Sequence, residues 1–293
     1  MRIGRIFDID IHISKTLILL IAVLLITGQG GNFTAVFFMF LIHEAAHVAA
    51  ARLLKLKVQE IELLPFGGAV KIHSYFESHP VHEIVVAASG PLANILLLLL
   101  YLGGIQMKWL PAGMPDPDIV NINLMLAGFN LLPALPLDGG RILRAVLARQ
   151  MNIERATKIA SGMGFLLSLA LFTIGLYGLY YRVFNYSLFV FSGFLFYSAL
   201  RERRNATYAM LMDITCKKEA LLREGSMPIR NIAVLYSLPL KEVVRRFVPQ
   251  RYHYIQVLDD QLMERGILNE SQIVNGLLDF GAHVPVGRLF GKR

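Results

Sequence analysis

Two histidines four residues apart with a glutamate beside the first, His43-Glu44-Ala45-Ala46-His47, lie inside the apolar run from Phe37 to Ala51. On an α-helix, residues i and i+4 share one face a turn apart, so both imidazoles can reach a single tetrahedral ion, which is the spacing of a zinc site. Glu44 is turned far enough round the helix to miss the ion and still reach a water beside it, the position a general base needs. An ionisable group in a membrane-length apolar helix is costly unless it is paired or binds a cation. A purely structural reading would have to find partners at that depth for two imidazoles and a carboxylate. Ala45, Ala46, Ala49 and Ala50 offer none.

A catalytic zinc takes three protein ligands, so two imidazoles leave one to find. The candidate is Asp138, in Asn130-Leu131-Leu132-Pro133-Ala134-Leu135-Pro136-Leu137-Asp138-Gly139-Gly140. Pro133 and Pro136 prevent a regular helix and Gly139-Gly140 frees the backbone on the far side, so the segment can unwind around a cavity and aim Asp138 at the metal. The competing reading makes Asp138 the N-cap of a helix running from Gly139 to Arg149.

The elements that must position these residues follow from composition. The chain has 293 residues, 55% hydrophobic and only 17% charged, against about 25% charged in soluble domains. Long apolar runs fill residues 1–205 and ordinary polar sequence fills 206–293, a division into two domains. The lone cysteine, Cys216, excludes an internal disulfide and suits a reducing compartment. The run Leu17 to Ile26 leads into Thr27-Gly28-Gln29-Gly30-Gly31 and reads as an anchor or first span, at about 16–27, rather than a cleavable signal. Further spans are expected at about 33–54, 83–104, from 119 to a break at 130, 159–181 and 186–200, which makes a six-helix polytopic membrane protein.

Residues 1–14 alternate in polarity and predict a short amphipathic strand at the membrane surface. Val58 to Ile72 has two β-branched arms around Pro65-Phe66-Gly67-Gly68 and predicts a β-hairpin, with a plain surface loop as the alternative. The edge of such a hairpin would offer unpaired backbone groups to an extended peptide. Trp109 fits an interfacial aromatic. The net charge of +8 tracks the membrane and not nucleic acid. Fifteen Lys and Arg fall in the terminal segments and on one side, among them Arg52, Lys55, Arg141, Arg144 and Arg201, against Lys108 and Arg182 opposite. The positive-inside rule then puts both termini in the cytoplasm.

Taken together, His43-Glu44-x-x-His47 in an early span and Asn130-x-x-Pro133-x-x-x-x-Asp138-Gly139 in a later one resemble the site-2 protease family of intramembrane zinc metalloproteases, peptidase family M50. The resemblance implies Zn2+ held by His43, His47 and Asp138, with Glu44 as catalytic acid and base. Gly90-Pro91-x-x-Asn94 also resembles the family. Asn94 is expected to shape the site and, with Asn130, Pro133, Phe66 and Gly67, to bind substrate. Ala45-Ala46 stand where many members carry Leu-Gly, at positions that bear no chemistry.

No room exists between the two motifs for an inserted PDZ domain. Residues 206–293 resemble a CBS domain, a small α/β module read as a helix, two strands and another helix. This plan is similar to that of the sporulation members of the family. The resemblance implies a membrane-associated substrate, the precursor of a late sporulation sigma factor, with inhibitory membrane protein partners and ATP at the CBS-like module. Arg251, Tyr252 and His253 are candidate nucleotide contacts, against the reading of a half-buried strand edge. Only one such unit is visible, so a complete nucleotide site calls for a homo-oligomer. The competing class is a metal transporter with a CBS-like regulatory domain, which would have no use for Glu44 and would hold its site near the bilayer midplane.

Overall fold

The structure, a computed structural model, describes residues 2–6, 9–13, 30–56, 58–64, 67–72, 79–109, 117–182 and 185–290. In chain order the elements are β1 (Arg2–Ile6), β2 (Ile9–Ile13), α1 (Gly30–Leu53), β3 (Val58–Leu64), β4 (Gly67–Ile72), α2 (Pro80–Gln106), α3 (Pro117–Asn130), α4 (Asp138–Ala148), α5 (Ile153–Tyr180) and α6 (Tyr186–Glu224). The C-terminal module adds β5 (Ile229–Leu235), α7 (Leu240–Val244), β6 (Tyr252–Leu258), β7 (Glu264–Asn269), α8 (Glu270–Phe280) and a 3-10 turn at Val286–Phe290.

Among the described residues three helices are long and apolar enough to cross a membrane, over Val36–Leu53, Pro80–Gln106 and Ile153–Tyr180, and Ile119–Asn130 forms a shorter apolar helix. At 27 residues, α2 is about 40 Å long, ample for a hydrocarbon layer of about 30 Å. The expected first span, 16–27, lies outside the described residues. The expected sixth span, 186–200, falls in the opening of α6, a helix of 39 residues that is not one of those three. The division at 205/206 therefore falls inside one helix, because polarity changes there while the helical backbone does not. Leucines 92, 96, 99 and 100 on α2 and Leu166 and Leu169 on α5 are exposed, as lipid-facing residues must be. Arg144, counted with the basic residues on one side, departs from that pattern. It is buried on α4, where its Nε (2.9 Å) and Nη2 both donate to Glu83 Oε1 of α2, so it lies inside the protein and not at the membrane surface.

The strands upstream of α2 form one four-stranded sheet in the order β1-β2-β3-β4. The arms of the expected hairpin pair antiparallel from Val58↔Ile72 to Leu64↔Gly67. The N-terminal residues make two antiparallel strands rather than the single one expected, and β2 runs parallel to β3 with Asp10↔Glu60 and Ile13↔Leu63. That pairing joins segments some fifty residues apart, which local alternation cannot announce. It makes β3 an interior strand and leaves β4 on the sheet's edge beside α1, which both strands contact.

In the C-terminal module β5 and β6 are parallel and β6 and β7 antiparallel. Val234, Leu240, Val243, Phe247, Ile255, Val257, Leu268 and Ile273 form its core. The helix, strand pair and helix expected here are present, with β5 added. His253 is not a nucleotide contact: its ring is fully buried, stacked on Phe247. His253 Nδ1–H and backbone N–H both donate to Glu270 Oε1, Nε2 accepts from Val248 N–H at 3.3 Å, and buried Lys217 of α6 lies 3.5 Å from the same carboxylate oxygen. Burial holds the His253 pKa below its ordinary value, with the Lys217 cation adding to the effect and Glu270 opposing it. A second tie is Asn152, whose Oδ1 caps α5 by accepting from Glu154 N–H and whose Nδ2 donates to Val244 O of α7 at 3.2 Å.

Glu270→Ala removes the carboxylate shared by a buried lysine and a buried histidine, and breaking such a pair costs about 3–5 kcal/mol. Amide exchange across β6 and α8 of the full-length protein is expected to speed up while α1 and α2 keep their protection. Unchanged protection of β6 would show that the buried charges do not hold the module.

Candidate metal centre

On α1, His43, Glu44 and His47 are all buried, with relative exposures of 2%, 6% and 6%, and their ligand atoms lie within 4.8 Å of one another. The i, i+4 spacing stacks the imidazoles edge to face, with ring centroids 4.8 Å apart. Each ring is held from behind by α2. His47 Nδ1–H donates to Val86 O at 2.7 Å, and the Ser89 hydroxyl, bonded to the same carbonyl, lies 3.3 Å from Nδ1. His43 Nδ1–H donates to Asn94 Oδ1 at 2.8 Å. With both Nδ1 atoms protonated, both Nε2 lone pairs face forward.

They face Asp138. Its Oδ2 lies 3.1 Å from His43 Nε2 and 3.2 Å from His47 Nε2, and the two nitrogens are 3.2 Å apart. A tetrahedral ion bound at about 2.0–2.1 Å separates its ligand atoms by about 3.3 Å. The three atoms thus outline one face of such a tetrahedron, and the donor set fits Zn2+. Three acceptors turned on one another in a buried space repel unless a cation sits between them or a proton is shared along an edge. The competing helix-cap geometry for Asp138 is not seen. α4 begins at Asp138, its N-cap position is Leu137, and no side chain caps it.

Close backbone contact aims Asp138. A Cβ on Gly139 would lie 2.2 Å from Leu131 O, one on Gly140 2.3 Å from Leu135 N, and one on Gly164 of α5 2.2 Å from Leu135 O. Residues 131–137 are therefore clamped between α4 and α5, with Leu135 N–H donating to Ala160 O. As the prolines predict, this stretch is irregular between two helices.

The residues expected to bind substrate are scattered. Asn94 is wholly buried, with its oxygen on His43 and its amide donating to Asn123 Oδ1 at 3.1 Å. It supports a ring and has no face left for a peptide. Asn130 ends α3 half-buried and donates to Leu126 O, and Pro133 is exposed. Gly67 opens β4 opposite Leu64, and Phe66 lies outside the described residues. Sequence reasoning did not find Val86 and Ser89 behind His47, or Asn123 behind Asn94. Asn123 carried only a weak signal, an amide in a helix expected to span the membrane, which Asn121 and Asn130 of the same helix share.

Residues 32–110 and 119–171 match the model of peptidase family M50. The chain is similar in structure to the site-2 protease from Methanocaldococcus jannaschii, with a TM-score of 0.55 and 30% identity, covering 69% of this chain and 94% of that one. It is 33% identical over 195 residues to a zinc metalloprotease of the same organism, a match that spans 63% of this chain and 56% of that protein's length. It is 25% identical over 214 residues to stage IV sporulation protein FB of Bacillus subtilis, 70% of this chain and 71% of that one.

Gly90 of α2 is where the site tolerates no side chain. A Cβ there would lie 2.5 Å from His47 Nε2 and 2.6 Å from His43 Nε2. Gly90→Ala is expected to leave folded protein in the membrane and to weaken retention of a divalent metal by about 10- to 100-fold, the usual cost of disturbing a ligand's support. Metal content after a chelator challenge reads the effect, and native retention would mean the rings are not held against Gly90.

Proposed function

The chain belongs to peptidase family M50, and from that membership we propose that it is an intramembrane zinc endopeptidase acting on membrane-associated protein substrates. One observation carries the reading: the buried triangle of His43 Nε2, His47 Nε2 and Asp138 Oδ2, with the Glu44 carboxylate beside it. His43, His47 and Asp138 would hold the zinc. Zinc at such a site supplies Lewis acidity, lowering the pKa of water and polarising a peptide carbonyl. Glu44 takes the proton from the attacking water and delivers it to the leaving amide nitrogen. Asp138 and the two imidazoles keep their places through the cycle because Val86, Asn94 and the clamped 131–137 segment fix them.

The substrate must be extended locally to expose its carbonyl, and β4 supplies a track as the edge strand beside α1. The narrower reading, in which the substrate is the precursor of a late sporulation sigma factor and inhibitory membrane proteins are partners, is supported by the 25% identity to stage IV sporulation protein FB. The higher identity to an archaeal zinc metalloprotease favours the broader class of membrane-associated proteins. The arrangement of basic residues, with Arg144 set aside, supports six spans with both termini in the cytoplasm. In this reading 206–293 is a cytoplasmic CBS-like regulatory module, and its single strand-helix-strand-strand-helix unit supports pairing between two copies of the chain.

Glu44→Gln keeps the size of the side chain and the ligands but removes the base. It is expected to abolish cleavage of a coexpressed substrate while zinc content stays native, and cleavage above a trace would remove Glu44 from the mechanism.

Successive N–H groups along a strand point to opposite edges, so of Ala69 and Val70 in β4 one donates toward β3 and the other toward the free edge. The proline substitution at the outward position is expected to cut cleavage with zinc and fold intact, and the inward one to disrupt the sheet. Ile61→Pro, in the interior strand β3, should disrupt it as well. If both β4 variants fold and cleave alike, β4 is scaffold and not a substrate track.

A further inference from the structure

We propose that Asn123 of α3 is a positioning residue for the metal centre, fixing the amide of Asn94 and through it the tautomer of His43. The proposal rests on the reading of His43 as a metal ligand, and its basis is a chain of hydrogen bonds whose polarity is set at one end. Asn123 lies 2.9 Å from Ile119 O through one end of its amide. A backbone carbonyl only accepts, so that end is the NH2 group and Oδ1 must face the other way. There it meets Asn94 at 3.1 Å, which obliges Asn94 to present its own NH2 group and turns Asn94 Oδ1 toward His43. The contact at 2.8 Å is then N–H to oxygen, which places the proton on Nδ1 and the lone pair on Nε2. Each assignment follows from the one before, beginning at an atom that has no alternative.

Burial gives the chain its force. His43, Asn94 and Asn123 are exposed by 2%, 0% and 1%, so water does not stand in for a lost partner. The two ligand histidines reach the same tautomer by different means. His47 needs one bond, to the carbonyl of Val86. His43 needs a relay across three helices, because its partner is an amide that could present either end. The opposing pull is on the page too. Asp138 Oδ2, 3.1 Å from His43 Nε2, favours a proton on Nε2 in the metal-free protein, the form that cannot bind a cation. Without Asn123, Asn94 is free to turn its NH2 group to Nδ1 and that form prevails.

The test uses the full-length protein in detergent, with 15N-labelled histidine, read first without metal and then by zinc competition against a chelator. The native chain should show His43 protonated at Nδ1. Asn123→Leu should move the proton to Nε2 and weaken zinc binding about 10- to 100-fold, with the thermal unfolding of the metal-free protein little changed. Asn123→Ala removes the same acceptor without bulk and carries the test if the leucine variant does not accumulate. Asn94→Asp added to either variant should restore both tautomer and affinity, since both carboxylate oxygens accept and orientation no longer matters. A merely structural Asn123 predicts no rescue. The proposal is overturned if His43 stays protonated at Nδ1 in the Asn123 variants, or if zinc affinity falls and Asn94→Asp fails to restore it. A native chain that binds no zinc but whose His43 tautomer follows residue 123 would sink the zinc reading and leave the relay standing.

Discussion

Three acceptor atoms from two distant parts of the chain are pressed to within 3.1–3.2 Å of one another in a buried space, and most of the structure around them exists to maintain that contact. Water would disperse such a cluster at once, and a low-dielectric interior makes it costly to hold. The cost falls on the surrounding contacts. Each imidazole donates its Nδ1–H to an acceptor behind it, and the aspartate is carried on a segment that cannot retreat.

α2 is the template for this arrangement. One helix supplies Val86 and Ser89 to His47, Gly90 as the floor under both nitrogens, Asn94 to His43 and Glu83 to Arg144 of α4. The spacing follows the helix repeat, with contacts to α1 at 86, 90 and 94 recurring about every turn. The Glu83–Arg144 pair lies about a turn before Val86 and docks the helix that begins at Asp138. It also explains an arginine in a helix packed against membrane spans: a buried charge of this kind is tolerated only with its partner in place.

The chemistry was legible because it is local. His43, Glu44 and His47 share one helix, and the prolines and glycines around Asp138 announce an unwound segment whatever it packs against. The hairpin at 58–72 was legible for the same reason. What could not be read depends on contacts between segments far apart. The parallel pairing of β2 with β3 leaves no local trace, yet it decides which strand is an edge. The expectation for Asn94 named both a part in shaping the site and one in binding substrate, because a polar residue at depth can serve either, and its contacts with His43 and Asn123 come from distant parts of the chain. The domain division expected at residue 206 follows a change in sequence polarity and falls inside α6, not at the end of an element.

That continuity of α6 determines how the C-terminal module relates to the site. The first half of α6 packs on α5 through Phe165 against Phe196, Phe172 against Phe189 and the Ser168 hydroxyl on Ser192 O. Its second half carries Lys217 into the module's buried charge cluster. The module also holds the corner between α4 and α5 through Asn152 and Val244, and α4 is the helix that starts at Asp138. A module joined only by a linker could move without consequence for the core. Among the described residues this one is tied at Lys217 and at Asn152, so a displacement that keeps both ties must tilt α6 against α5 or move the corner between α4 and α5. The position of the module and the aim of the Asp138 carboxylate therefore belong to one connected packing.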